Sequence, residues 1–142
     1  MSPVPNSVGE AKAGKLTADQ WKTFCLVHLI ISLIQLWGDF SQDNRYYQLL
    51  LNFISLVTAV KIASRRVLTQ EYIDLYKVNI LDYLKTLLKL FPEISLSPNQ
   101  HLSGHLSDHM QRFGPAHSWR SFAFERWNYK LQHINTNKKF GK

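Results

Sequence analysis

The chain has a single cysteine, Cys25, among its 142 residues. One cysteine excludes an intramolecular disulfide and an internal CxxC zinc half-site or redox pair, and it suits a reducing compartment. No charged segment followed by an apolar core opens the chain, so a secretory signal is not expected. The most apolar stretch, Phe24 to Trp37, is too short to span a bilayer and contains the polar residues His28 and Gln35. These features predict a soluble intracellular protein with no membrane partner.

Apolar residues are abundant by contrast. Hydrophobic residues make up 45% of the chain and charged residues 19%, which is a globular composition at a length that supports one core. Neither GxxxxGK[ST] nor GxGxxG occurs, so nucleotide hydrolysis is not expected. We predict a flexible linker over residues 1–15 and a single domain over residues 16–142. The linker contains the chain-breaking residues Pro3, Pro5, Gly9 and Gly14.

Positive charge is concentrated at the C-terminal end. The chain has a formal net charge of +7, and residues 112–142 contain seven Lys or Arg side chains against one acid, Glu125. Aromatic rings lie between these cations, a mixture that can contact phosphates and stack on bases. The alternative is that the rings form core and the cations a solvated face. The residues predicted to contact nucleic acid are Arg120, Arg126, Lys130, Lys138 and Lys139.

The spacing of apolar residues predicts an all-α fold, a bundle of about five helices, because no stretch alternates with period two. The first helix, Trp21 to Trp37, is apolar nearly all round and is expected to be buried on most sides. A second helix is expected from Asp43 to Ala63. A third begins at the cap Thr69 and stops at Pro92. These helices form a three-helix portion over residues 16–92.

Two more helices are predicted within residues 97–142. The fourth begins at the N-cap Ser97 and ends at Gly114-Pro115. The fifth is expected to run from residue 121 or 122 to about residue 134. The fourth helix carries a histidine pair, and the fifth carries Glu125.

The histidine pair consists of His101 and His105, whose spacing places both imidazoles on one face of the fourth helix. Such a pair can coordinate one metal ion, but a structural zinc ion takes four ligands. Spacing alone leaves open whether the two are metal ligands or solvated or core histidines. His109, one turn further on, is either a third ligand or a surface residue. Cys25 and His28 are candidates for the remaining positions, unless Cys25 is a buried apolar residue.

Glu125 is the only acid in the last 34 residues and lies between Arg120 and Arg126. A position in the first or second turn of a helix, beside guanidinium groups, favours the ionised carboxylate that Mg²⁺ binds. Acids are also common in first helical turns for capping and dipole reasons. The residues alone therefore leave both interpretations of Glu125 open.

Several ordered motifs resemble the C-terminal domain of CACTA (En/Spm-like) DNA transposases. They are HLSGHL at 101–106, FGP at 113–115 and FER at 124–126, and KLTADQW at 15–21 is similar to the start of that region. The resemblance covers nearly the whole chain after the linker and is most specific in the spacing of the first three motifs. One departure is Ala123, which stands where the family usually has proline.

The resemblance implies roles that the residues alone leave open. In that family and in RAG-recombinase-like enzymes, a histidine pair joins an earlier CxxC pair to bind zinc, and the last acid of the DDE triad follows downstream. The resemblance therefore implies zinc ligation by His101 and His105, and a Mg²⁺-binding catalytic role for Glu125, twenty positions after His105. It also implies a nuclear location, with DNA and the upstream part of the transposase as partners.

The CxxC pair and the first two aspartates of the triad have no counterpart in this chain, and none of its six aspartates matches the family's earlier positions. One carboxylate cannot organise the two Mg²⁺ ions of a two-metal transfer, so we expect a chain that is catalytically incomplete alone. One alternative is a transposon-derived helical module that binds DNA or protein, or self-associates. Another is a metal hydrolase that uses His101, His105, His109 and Glu125.

Overall fold

The computed structural model describes residues 16–119 and 127–130, together with Val8 and His133. The described residues form helices, turns and irregular segments without a strand, which confirms the predicted all-α fold. Apart from Val8, the predicted linker over residues 1–15 lies outside the described residues. Most of the predicted fifth helix also lies outside them, while residues 127–130 form one helical turn.

Residues 16–119 contain six α-helices and one π-helical segment. In chain order these are α1 (Ala18–Thr23), the π-helical segment Phe24–Leu29, α2 (Ile30–Trp37), α3 (Arg45–Ala63), α4 (Gln70–Leu90), α5 (Pro98–Phe113) and α6 (Ala116–Trp119). The first three follow one another without interruption, so the single helix predicted to end at Trp37 is a continuous helical stretch with a π-helical middle.

The local sequence supplies the caps that start these helices. The hydroxyls of Thr17 and Ser97 accept the backbone N–H groups of Gln20 and Gln100, whose side chains in turn accept the cap N–H groups. This reciprocal capping box satisfies donors that have no partner within the helix. Thr69 caps α4 through its side chain. The predicted helix starts at Ser97 and Thr69 are therefore confirmed.

Gly114 ends α5, as the Gly114-Pro115 pattern predicts. Its φ of 75° and ψ of −157° lie in a backbone region that is open almost only to glycine. Its N–H donates to the carbonyl of Met110 at 2.9 Å. The indole N–H of Trp119 donates to the Gly114 carbonyl at 3.1 Å, so the short helix α6 folds back beside the end of α5.

The core lies where α4 packs against both α3 and α5. Two hydrogen bonds tie the three helices together: Asn52 Nδ2 donates to the Tyr83 carbonyl, and the Tyr76 hydroxyl donates to the Ser103 carbonyl, both at 2.8 Å. Burial of each large apolar side chain contributes about 1.5–3 kcal/mol. The buried cluster comprises Ala59, Ile62, Ile73, Tyr76, Ile80, Leu84 and Met110.

The first helical stretch is less buried than its composition predicts. No residue of α2 is buried, and Ile31 and Leu36 are 52% and 65% exposed. The stretch packs on α3 along one side, where Leu26 is buried. An apolar composition does not determine how many neighbours a helix has, and among the described helices this stretch has one main packing partner, α3. The expectation of burial on most sides is therefore wrong.

Among the described helices, α3 alone is long and apolar enough to meet the criterion for a membrane span, with a mean hydropathy of 1.3. Core helices meet the same criterion when their apolar side chains face neighbouring helices. In α3 the buried side chains include Leu50, Val57 and Ile62. Within the bundle, 28% of the apolar window of α3 is buried.

Candidate metal site on helix α5

Helix α5 is held close against α4 by small and polar residues on its inner side. A Cβ placed on Gly104 would lie 3.7 Å from Leu84 Cδ1, so the two helices approach to ordinary van der Waals contact. Gln100 Nε2 donates to the Tyr83 hydroxyl at 3.3 Å. Further along, Met110 is only 1% exposed. These contacts fix the orientation of the opposite, solvent-facing side of α5.

His101 and His105 lie on that solvent-facing side, and both are exposed. Their Nε2 atoms are 3.4 Å apart. The ring centroids are separated by 5.0 Å, with an interplanar angle of 71°. The structure therefore brings together the ring nitrogens of the two residues that the sequence predicts as a metal-binding pair.

The Nε2 separation fits two positions of a tetrahedral zinc ion. Zn–N bonds of about 2.0–2.1 Å at a tetrahedral angle place two nitrogen ligands about 3.3–3.4 Å apart. The observed 3.4 Å is that separation. A weak hydrogen bond between one protonated and one unprotonated imidazole has a similar length. The geometry thus suits zinc without requiring it.

The remaining ligands of a closed zinc site are not brought to this pair. Within residues 16–119 and the few described beyond, no group of three or more His, Cys, Asp or Glu side chains is placed to share a metal ion. His109 instead lies beside two aromatic rings, with its centroid 6.0 Å from those of Phe113 and Trp119. Among the described residues, the histidine pair therefore offers two of the four ligands that a structural zinc ion would take.

Cys25 belongs to the π-helical segment and lines an apolar groove of about 380 Å³ against Phe53 and Val57 of α3. Burial raises the pKa of its thiol, which disfavours the thiolate that zinc requires. His28, one turn away, is exposed. Cys25 is thus half-buried in apolar surroundings, between the two alternatives that the sequence leaves open.

The hydroxyl of Tyr76 anchors α5 and gives the fold a measurable alkaline sensitivity. Burial raises the pKa of Tyr76 from 10.0 to about 12, since the side chain is 2% exposed. Between these values the unfolded chain releases a proton that the folded chain retains. Stability therefore falls as the pH rises above 10.

We expect Tyr76→Phe to cost about 1 kcal/mol at pH 8, through loss of the hydrogen bond to Ser103. This deficit should shrink between pH 10 and pH 11, because phenylalanine has no proton to release. The difference between the urea midpoints of the parent chain and Tyr76→Phe at pH 8, 10 and 11 measures this deficit. If the urea midpoints of the two proteins fall by the same amount as the pH rises, the raised pKa of Tyr76 is contradicted.

The other predicted site residues fall mainly beyond the part of the chain that the structure describes. Lys130 is described, exposed, and has its Nζ 5.1 Å from the centroid of the Trp127 ring. The positions of Glu125 and most of the predicted nucleic-acid contacts are thus untested. The predicted site residues that lie outside the described part of the structure are Arg120, Glu125, Arg126, Lys138 and Lys139.

Three residues that support the site are not among those that the sequence predicts. Gly104 faces Leu84 of α4, where a Cβ would make an ordinary van der Waals contact, and a glycine inside a helix is a recognisable signal of a packing position. The Tyr76 hydroxyl bond reaches across 27 residues, so no local pattern reveals it. Trp119 is likewise placed by its bond to Gly114.

Comparisons with known proteins do not identify a family. No protein-family model, curated protein or solved structure matches this chain.

Proposed function

We propose that this chain is the C-terminal part of a CACTA-type DDE DNA transposase, a nuclear protein that acts on DNA by phosphodiester transfer. In this proposal His101 and His105 are two of the four ligands of a structural zinc ion, and Glu125 is the last acid of the catalytic triad. The upstream part of the transposase contributes the CxxC pair and the two aspartates.

The observation that carries the proposal is the geometry of the histidine pair. The two Nε2 atoms are 3.4 Å apart on an exposed helix face, so thiolates from another segment can reach a metal held there. The helix that presents the pair is fixed on its other side by Met110 and by the Tyr76 hydroxyl bond. A rigid, accessible two-ligand platform suits a zinc site that is completed from elsewhere in the polypeptide.

The proposed role of Glu125 depends on the upstream part of the transposase, which contributes the other two acids of the triad. A pair of divalent ions would stabilise the attacking and leaving oxygens during in-line attack on a DNA phosphodiester. In this proposal the carboxylate of Glu125 supplies oxygen ligands to these ions. With a single carboxylate of the triad, this chain cannot hold both ions.

We therefore expect the purified chain to leave nicked and intact duplex DNA uncut in the presence of Mg²⁺ or Mn²⁺. A gel assay of end-labelled duplexes measures this, with the Glu125→Gln variant as the matched control. Cleavage by the parent chain that disappears in Glu125→Gln would contradict the claim that the chain is incomplete.

A second candidate function is a transposon-derived helical module that binds DNA or protein. Large exposed apolar side chains on α2 and α4 favour protein binding, among them Leu36 and Val78 at 65% and 64% exposure. DNA binding rests on the basic C-terminal third, which includes the exposed Lys130. A salt titration separates the two, since affinity carried by phosphate contacts falls steeply with salt. Absence of DNA binding at low salt would leave the protein-binding module.

A further inference from the structure

The outward side of α4 carries a stripe of residues at heptad spacing. Residues four and three positions apart alternate along it, the pattern of a helix that pairs with another helix. Its apolar members Val78, Leu81 and Leu88 are 64%, 37% and 38% exposed, and the charged residues at the other positions are also exposed. We call this the outer stripe; it comprises Asp74, Val78, Leu81, Lys85 and Leu88.

The opposite side of the same helix accounts for the packing of the bundle. Ile73, Tyr76, Ile80 and Leu84 are buried against α3 and α5. The outer stripe thus adds a second apolar row to a helix whose first row already forms the core. The exposed apolar side chains at its centre, Val78 and Leu81, are available for contact with another chain.

The order of charges along the outer stripe selects the partner. Asp74 stands toward the N-terminal end and Lys85 toward the C-terminal end, with Val78 and Leu81 between them. When a second copy of the helix lies antiparallel, Val78 of one copy faces Leu81 of the other, and Asp74 of one copy faces Lys85 of the other. The four positions from Asp74 to Lys85 are therefore complementary to themselves after a two-fold rotation, as the commonest dimers require, while Leu88 lies outside this self-complementary part and faces Glu71 of the other copy.

We propose that two copies of this chain associate through antiparallel pairing of their α4 helices along the outer stripe. Two-fold symmetry gives each contact twice, so the apolar centre has four side chains and each end has one pair of opposite charges. The inference is independent of the proposed function, because it uses only α4.

The area of the interface between the two α4 helices determines how tightly the dimer is expected to associate. The helix has 21 residues, or about 31 Å at 1.5 Å per residue. One helix face buries less than the roughly 800 Å² per partner of a standard stable interface. A dissociation constant in the micromolar range, on the order of 1–100 µM, is expected.

Sedimentation velocity of the full chain across this concentration range tests the proposal. The parent chain should show a concentration-dependent monomer–dimer equilibrium. Asp74→Lys or Lys85→Asp should each weaken association about tenfold, since two attractive pairs become two repulsive ones. The double variant Asp74→Lys/Lys85→Asp restores opposite charges and should return to within about threefold of the parent constant.

Matched controls separate the outer stripe from general surface effects. Val78→Asp should abolish the dimer, whereas Val67→Asp, at a 73% exposed loop position, should leave it intact. Glu93→Lys reverses an exposed acid outside α4 and should leave the constant unchanged. A chain that stays monomeric throughout would overturn the proposal. A dimer insensitive to both charge reversals, or one that the double variant fails to restore, would also overturn it.

Discussion

Met110→Ala is expected to lower the free energy of unfolding by about 2–5 kcal/mol, which is the range for large-to-small changes in well-packed cores. Met110 is 1% exposed and belongs to the cluster that joins α5 to α3 and α4. Truncation removes its packing within this buried cluster and leaves a cavity between the helices. Urea unfolding followed by circular dichroism gives the value from the shift in midpoint.

Leu102→Ala provides the control on the same helix. Leu102 is 61% exposed, so its truncation removes little buried surface and should change stability by no more than about 0.5 kcal/mol. Equal costs for the two variants would mean that α5 is not docked on α4 in solution. The same result would remove the rigid support of the histidine pair.

His101→Ala is expected to weaken zinc binding by the chain at least about tenfold, since it removes one of two ligands. The parent chain should bind one zinc ion per molecule, with an affinity well below that of a four-ligand site. His105→Ala should have the same effect, because both imidazoles contribute their Nε2 atoms. Isothermal titration calorimetry at pH 7.5 measures the stoichiometry and the dissociation constant.

His109→Ala serves as the matched control for zinc binding. His109 is exposed on the same helix, one turn beyond His105, but lies beside the rings of Phe113 and Trp119. Its removal should leave the zinc dissociation constant unchanged within about twofold. A loss as large as that of His101→Ala would instead support the three-histidine alternative.

Local signals account for most of the helical fold. The caps at Thr69 and Ser97 and the stop at Gly114 act within a few residues, so their patterns can be read directly from the sequence. The spacing of His101 and His105 likewise places both on one helix face before any tertiary contact is known. The sequence therefore correctly predicts these two helix starts and the position of both histidines on one helix face.

The features that the sequence does not predict depend on contacts between residues far apart in the chain. The apolar stretch that ends at Trp37 is exposed along much of α2, because α3 is its one main packing partner among the described helices. The sequence pattern of a helix does not specify how many other helices pack against it. For the same reason, composition could not exclude Cys25 from the metal site; its groove against α3 is a long-range contact. The 3.4 Å Nε2 separation also depends on side-chain orientation, which spacing does not specify.

Nitrogen-15 NMR of the imidazole side chains during a zinc titration tests the central claim most directly, because it reports on each ring nitrogen. We predict that the Nε2 signals of His101 and His105 shift together and saturate at one zinc per chain, while those of His109 and His28 stay in place. Nε2 signals of His101 and His105 that do not respond, or that respond no more than those of the other histidines, would contradict the zinc half-site.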